Sequence, residues 1–203
     1  MSKMNYVINL FKNDGSIIED RYLTYNDVHF DYAQVLLLGD HADNTDEGNI
    51  MLVSCHDLEL VLKFKWYLTR AGYPGTYGTI DGEIKYSRPV HLHQFLYPHI
   101  SYGYVVDHIN RNRLDNRREN LRVCTALQNS YNKSKPKNSN KKFKGVQKTG
   151  KKNNPTYTAS ITKDGVKHEI KNIQTEDQAA KVYDMMAEEL FGEYAGKNFP
   201  NQV

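Results

Sequence analysis

Cysteine is almost absent from the chain, with only Cys55 and Cys124. No Cys-x-x-Cys pair exists, so neither a disulfide framework nor a structural zinc site is expected, and a reducing intracellular compartment fits. Long apolar runs are missing as well. Mean hydropathy is −0.72, and no stretch approaches the roughly 20 apolar residues that a bilayer-spanning helix requires. Met1 to Asn9 lacks the basic and then apolar pattern of a secretory signal. A cytoplasmic protein with no membrane partner is therefore expected, in a bacterial or phage-infected cell. A nucleotide-binding loop is missing too. Gly145-x-x-x-x-Gly150-Lys151 comes close, but Lys152 stands where a metal-binding Ser or Thr is needed, and Asn153-Asn154-Pro155 follows instead of a helix. No nucleotide cofactor is expected.

Acidic residues are missing from 133–152, which hold nine lysines and no Asp or Glu. That stretch sharpens an asymmetry hidden in the net charge of +3. Residues 1–106 carry 8 basic and 13 acidic side chains, 107–132 carry 5 and 3, and 133–203 carry 14 and 8. Positive charge concentrated in the second half suits a protein that grips phosphates from that side. A solvated charged surface is the competing explanation.

At 203 residues there is room for one or two domains. Tyr6 to Phe11 predicts a strand, Asn13-Asp14-Gly15 a turn, and Ser16-Ile17-Ile18 a returning strand. Tyr32 to Leu38 is an apolar run compatible with helix or strand, and Asp40 to Asn49 a surface loop. No chemistry is assigned to 1–49, and the isolated His29 and His41 are expected on the surface or in packing. Ile50 to Val53 predicts a strand. Ser54 with Asp57 is a capping pattern, and Leu58, Val61, Leu62 and Trp66 have helical spacing. Trp66, the single tryptophan, is expected to anchor a core. Gly72 to Thr79 and Glu83 to Tyr86 predict a hairpin around Asp81-Gly82. His91 and His93 would point the same way on a strand, but metal binding by that pair is not expected.

The chemistry concentrates in Tyr104 to Asn129. Tyr104 to Val106 predicts a strand that ends at Asp107-His108. A polar loop rich in Asn and Arg leads to a second β-type run, Leu121 to Cys124. Thr125-x-x-Gln128 is a capping box opening a helix that carries Asn129. Hairpin, long loop and helix can bring Asp107, His108 and Asn129 to one point. A neutral imidazole accepts a proton from water near pH 7. A carboxylate and an amide oxygen are hard ligands for Mg²⁺.

On Asp107-His108, the Asn-rich loop, Glu119-Asn120-Leu121 and Asn129, this stretch resembles the HNH (ββα-metal) nuclease family, in its subgroup of phage and intron homing endonucleases. The resemblance implies His108 as general base, and Asp107 and Asn129 as ligands of one Mg²⁺ or Mn²⁺. It implies that Asn120 holds the loop and orients the imidazole. Leu92-His93-Gln94-Phe95-Leu96 matches the Leu-His-x-x-Leu segment that precedes the Asp-His pair in these enzymes. His93 would then lie at the edge of the site and touch phosphate or water, or serve as scaffold. Arg111, Arg113, Arg117 and Arg118 in the loop are expected to contact DNA.

Lys133 to Asn140 has no apolar periodicity and predicts a flexible basic linker along a DNA backbone. Phe143 to Gln147, Tyr157 to Thr162 and Val166 to Ile173 predict three strands, the last two joined at Asp164-Gly165. Thr175-x-x-Gln178 opens a helix with Ala179, Val182, Tyr183, Met186, Ala187 and Leu190 on one face, stopping near Gly192. Tyr157, Ala159 and Ile161 would face that helix, with Thr158, Ser160 and Thr162 on the other side. Phe143-Lys144-Gly145-Val146, Tyr157 to Ile161, Thr175, Ala179-Ala180, Tyr183-Asp184 and Asn198-Phe199-Pro200 resemble the plant ethylene-response-factor (APETALA-type) DNA-binding domain. That family lays its sheet in the DNA major groove. The resemblance implies contacts from Lys142, Lys144, Gln147, Lys148, Thr158, Ser160, Thr162 and Lys167. Lys, Gln and Thr replace the family's arginines and tryptophan, so sequence preference should be weaker or different.

The expected fold class is α+β: a ββα-metal module followed by a three-stranded antiparallel sheet plus one helix. The expected domains are 1–49 without an assigned role, 50–132 as the nuclease module, 133–142 as linker and 143–203 as the DNA-binding domain. The expected function is site-directed hydrolysis of phosphodiester bonds in double-stranded DNA with one divalent metal and a His general base, a nicking endonuclease of the homing type. A DNA-binding regulator with a decayed nuclease module is the alternative. An RNA-processing nuclease is disfavoured because the C-terminal sheet lacks aromatics to stack unpaired bases.

Overall fold

The computed structural model describes residues 7–12, 14, 16–17, 31–37, 50–79, 81–136, 139–151 and 153–200. The expectations for Asp40 to Asn49, His29 and His41 fall outside these. Two compact units divide the chain, 1–123 and 124–203. Among the described residues no helix is long and apolar enough to cross a membrane.

In the first unit, β1 (Val7–Phe11), β2 (Tyr32–Leu36) and β3 (Ile50–Ser54) form an antiparallel meander, and a short strand inserted much later in the chain joins its edge. Met51 and Val53 alternate into the core from β3. Helix α1 (Cys55–Val61) follows directly and buries Leu58 and Val61. The helical spacing extends to Trp66, yet the helix stops at Val61. Trp66 still reaches the core, where its indole Nε1 donates at 2.8 Å to the helix-end carbonyl of Val61, which also accepts from the Phe64 amide. Phe95 meets the Phe64 and Trp66 rings edge-on at 4.7 and 5.5 Å. Side chains of this size, fully buried, each contribute about 1.5–3 kcal/mol.

The expected hairpin is present as β5 (Pro74–Gly78) against β6 (Lys85–His91), with β4 (Tyr67–Leu68) on the other side of β5. Helix α2 (Leu92–Phe95) begins at the end of β6, so His93 lies on a helical turn and not on a strand. Then come β7 (Tyr104–His108), β8 (Asp115–Asn116) and β9 (Leu121–Thr125). β7 and β9 make a two-stranded sheet, while β8 pairs in parallel with β3, Leu52 opposite Asp115 and Val53 opposite Asn116.

In the second unit, α3 (Ala126–Asn132) opens with the expected capping box. Thr125 Oγ1 accepts from the Gln128 amide at 3.2 Å, and Gln128 Oε1 accepts from the Thr125 amide at 2.8 Å. Residues 139–145 carry no helix or strand, and β10 (Val146–Lys151), β11 (Asn154–Lys163) and β12 (Val166–Ile173) form an antiparallel sheet in chain order. The glycine-flanked stretch after Gly145 is thus a strand, which disposes of the phosphate-loop motif. Asp164 and Gly165 both have positive φ, 50° and 78°, as a two-residue I′-type hairpin turn demands. Helix α4 (Glu176–Phe191) repeats the capping box with Thr175 and Gln178. Ala159 and Ile161 pack with Tyr183 and Ala187, and Val146 with Ala179 and Ala180.

Two features close this second core. Gly145 has φ +71°, and a Cβ there would lie 2.0 Å from the Tyr183 ring. The Asp184 carboxylate, itself buried, accepts from the amides of Asn198 at 2.7 Å and Phe199 at 2.8 Å. Asn198 Oδ1 in turn accepts from the Lys144 amide at 2.8 Å. The residues that carried the plant-domain resemblance therefore have a structural use of their own, joining the chain before β10 to the chain after α4.

Candidate active site

The Asn-rich loop between β7 and β9 is built from side chains bonded to backbone. Arg111 turns the chain with φ 65°, its amide donating to the His108 carbonyl at 2.9 Å. Asn110 Oδ1 accepts from the Asn112 amide at 2.8 Å, and Asn112 Oδ1 from the Leu114 amide at 3.1 Å. Asn120 closes the loop. Its Oδ1 accepts from the Asn110 amide at 2.9 Å, and its Nδ2 donates to Asn110 Oδ1 at 2.9 Å and to the Asp115 carbonyl at 2.8 Å. These bonds use both Nδ2 hydrogens of Asn120 and one lone pair of its Oδ1. It holds the loop as expected, but the contact with the His108 imidazole comes from another residue.

That residue is Asn116, which is 0 % exposed. Its Oδ1 lies 3.2 Å from His108 Nε2. Sequence reasoning missed it, because an Asn in a loop of Asn and Arg carries no sign that it will be pinned in a strand beside β3. His108 is itself buried. Burial pulls its pKa below the ordinary imidazole value, while Asn116, Asp107 and Asp115 pull the other way. Asp115 stays ionised, since the Arg117 guanidinium and the Asn110 amide outweigh the burial that raises its pKa. The ring beside it is thus a neutral base at neutral pH.

Asp107 is buried next to it, and Arg122 brings both Nε, at 3.1 Å, and Nη2, at 2.9 Å, to Asp107 Oδ2. Arg122 was not expected at the site. The available signal was a charged side chain inside the otherwise apolar β9. Asn129 lies half-buried on α3, in the second unit. By chemistry, a carboxylate such as that of Asp107 is a hard ligand for a divalent cation, which leaves much of its shell to water and substrate. Among the described residues no group of three or more His, Cys, Asp and Glu is placed to hold a metal, and Mg²⁺ requires no such group.

His93 is buried and packs edge-on against the His108 ring at 5.0 Å between centroids. Its Nδ1 is buried without a hydrogen-bond partner. Burial, reinforced by the neighbouring His108 and His91, brings its pKa down to about 3. Tyr73 joins the group, stacked on His91 at 4.9 Å and 5.0 Å from His93. Arg113 lies over the other side of this cluster, its guanidinium 4.6 Å from the Tyr73 ring and bonded to the Ala71 carbonyl.

The other expected DNA contacts separate into two groups. Arg117 is paired with Asp115 and Glu119, both at 2.8 Å. Arg118 grips buried Asp57 with Nε at 2.7 Å and Nη2 at 2.8 Å, and its amide donates to Ser54 Oγ at 2.8 Å. Both guanidiniums are thus engaged by carboxylates within the fold, and each side chain stays partly exposed. The capping pattern at Ser54 and Asp57 is corrected: Ser54 is the cap by position, but makes no side-chain cap bond. Lys144 is likewise turned inward, Nζ donating to the Tyr131 carbonyl at 2.9 Å, and Thr158 is buried. Gln147, Lys148 and Thr162 are exposed and Ser160 is half-buried. Lys142 and Lys167 are exposed in surface pairs with Asp177 and Glu169.

A family model described as HNH endonuclease matches residues 90–131, from β6 through the loop to α3. The chain is 46% identical over 157 residues to a protein of Acanthamoeba polyphaga mimivirus named "Uncharacterized HNH endonuclease L560", covering 75% of this chain and 76% of the relative. It is 29% identical over 93 residues to "Protein 3.8" of Escherichia phage T7, covering 46% of this chain and 74% of that protein. No solved structure matches significantly. With the Asp107-His108 pair at the end of β7, the Asn120-closed loop and a relative matched over most of both chains, the protein belongs to the HNH endonuclease family.

Proposed function

We propose that the protein is a metal-dependent DNA endonuclease in which His108 is the general base. The observation that carries this reading is the buried, neutral imidazole of His108 beside the Asp107 carboxylate, fixed by a loop that spends its polar groups on its own backbone. Asp107 and Asn129 would hold one Mg²⁺ or Mn²⁺. The bound cation would offset the charge that builds on the scissile phosphate and the leaving oxygen. His108 takes the proton of the attacking water. Arg122 aligns the Asp107 carboxylate before the cation binds. His93 seals one side of the His108 ring and contacts water or phosphate at the rim. Arg111 and Arg113 engage the DNA backbone near the cut.

The second unit supplies duplex affinity through the open face of its sheet. Gln147, Ser160, Thr162 and Lys167 are its contacts, with Lys142, Lys148 and the lysine-rich 133–142 segment along the backbone. One nuclease module per chain gives a nick, with a 5′-phosphate and a 3′-hydroxyl, at a preferred site of the homing type. The test is supercoiled plasmid carrying a library of genomic DNA, incubated with and without Mg²⁺, for wild type and His108→Ala. Metal-dependent open circles at a discrete position, lost in the variant while DNA affinity stays within a few fold, are expected. Tight binding with no cleavage under any divalent metal would replace the nuclease by a DNA-binding regulator.

A further inference from the structure

We propose that Asn116 is the positioning residue for the general base: its amide oxygen holds His108 as the Nε2–H tautomer and sets the plane of the ring, leaving the proton-accepting lone pair on Nδ1. This rests on His108 being the base. Nothing in the family resemblance or the comparisons assigns Asn116 a role.

The amide's orientation follows from its second bond. Asn116 Nδ2 donates to the Arg113 carbonyl at 3.1 Å. Reversing the amide would set Oδ1 against that carbonyl, acceptor against acceptor. The atom facing His108 Nε2 at 3.2 Å is therefore the oxygen. An amide oxygen only accepts, so Nε2 carries the hydrogen, and in a neutral imidazole the other nitrogen is then the acceptor. Asn116 is 0 % exposed, so water does not compete for this bond. The strand register, Val53 opposite Asn116, fixes the backbone from which the amide reaches. The His93 ring, edge-on at 5.0 Å, limits rotation of the imidazole from another side. Asn120 cannot share the task, because both ends of its amide are committed to Asn110 and Asp115. The two asparagines thus divide the work that a single one was expected to do: Asn120 shapes the loop and Asn116 aims the base.

Two measurements on the full chain test this. The first is long-range ¹H–¹⁵N NMR of the metal-free wild type near pH 8, which reports which ring nitrogen of His108 is protonated. Protonated Nε2 and unprotonated Nδ1 are expected, and a proton on Nδ1 overturns the proposal. The second compares Asn116→Ala with Asn116→Asp in plasmid nicking with Mg²⁺, below the lowest melting temperature of the set. The Ala variant loses the acceptor and should lower kcat about 10–100-fold, the usual cost of losing a supporting partner of a site residue. KM should stay within about threefold, since no DNA contact is removed. The Asp variant loses the bond to the Arg113 carbonyl but keeps an acceptor for Nε2–H, and should retain clearly more kcat than Ala. Equal losses in the two variants, or losses that follow their melting temperatures, would mean that Asn116 only holds the fold. If wild type cuts nothing, the nuclease reading fails by that result, while the tautomer measurement still decides whether Asn116 sets the ring.

Discussion

Replacing Arg118 by Ala tests whether the loop arginines serve DNA or the fold. The Arg118 guanidinium grips Asp57 through two bonds, at 2.7 and 2.8 Å, and lies 4.6 Å from the Tyr97 ring. Its side chain is 31% exposed, whereas that of Asp57 is 6% exposed. Truncation therefore strands a buried carboxylate that water barely reaches. Losing one partner of a buried pair costs about 3–5 kcal/mol, and the partial exposure of Arg118 points to the lower end. For a chain of this size, 1 kcal/mol moves the melting temperature by roughly 2–4 °C, so a fall of about 6–12 °C is expected. The assay is thermal unfolding of wild type, Arg118→Ala, Asp57→Leu and the double variant. Because the double variant leaves no stranded charge, it should melt well above Arg118→Ala, a coupling of at least about 1 kcal/mol. DNA affinity of Arg118→Ala, measured where it is folded, should match wild type within a few fold. An unchanged melting temperature together with a large loss of DNA affinity would refute the structural assignment and return Arg118 to the DNA interface.

Other consequences follow from the same geometry. His93 has a folded pKa depressed to about 3 from 6.5, so the unfolded chain binds the extra proton first, and stability present above pH 6.5 is lost as pH falls toward 3. At about 1.4 kcal/mol per pKa unit the effect is on the order of 5 kcal/mol, and His93→Phe should flatten the acid limb of urea midpoints in that window; an unchanged limb counts against the buried neutral ring. Gly145→Ala should destabilise the second unit by several kcal/mol or prevent its folding, since the new methyl group meets the Tyr183 ring and the Ser160 carbonyl; a wild-type melting curve would contradict the close approach. Arg113→Ala should reduce the salt slope of DNA binding by about one, whereas Lys144→Ala should lower the melting temperature and leave the slope alone. The reverse pattern would exchange their roles.

What was legible in the sequence was local. The strand ending at Asp107-His108, both Thr-x-x-Gln capping boxes and the Asp164-Gly165 hairpin each depend on residues within a few positions of one another, and each stands where the pattern put it. What was not legible depends on partners far apart in the chain. Arg118 meets Ser54 and Asp57 across more than sixty positions, and Asn116 becomes a buried strand residue only because β8 adds to β3. Trp66 kept its expected place in the core after the helix that was to carry it ended early, because burial of an indole tolerates either backbone.

The expectation that Arg117 and Arg118 contact DNA has one physical source. In a sequence, a cluster of arginine and asparagine suggests solvent or phosphate, because charged side chains are rarely buried without partners. In this loop the partners are present. A long connection with little apolar content cannot be fixed by packing, so it is fixed by polar bonds: Asn110, Asn112 and Asn120 to backbone, Arg117 to Asp115, Arg118 to Asp57. Under the proposed mechanism, rigidity of this kind keeps His108 in place beside Asp107 as the DNA approaches. The same residues that suggest phosphate ligands also hold the loop around His108. Arg113, which with Arg111 is proposed to meet phosphate, has its guanidinium over the Tyr73 ring and bonded to the Ala71 carbonyl.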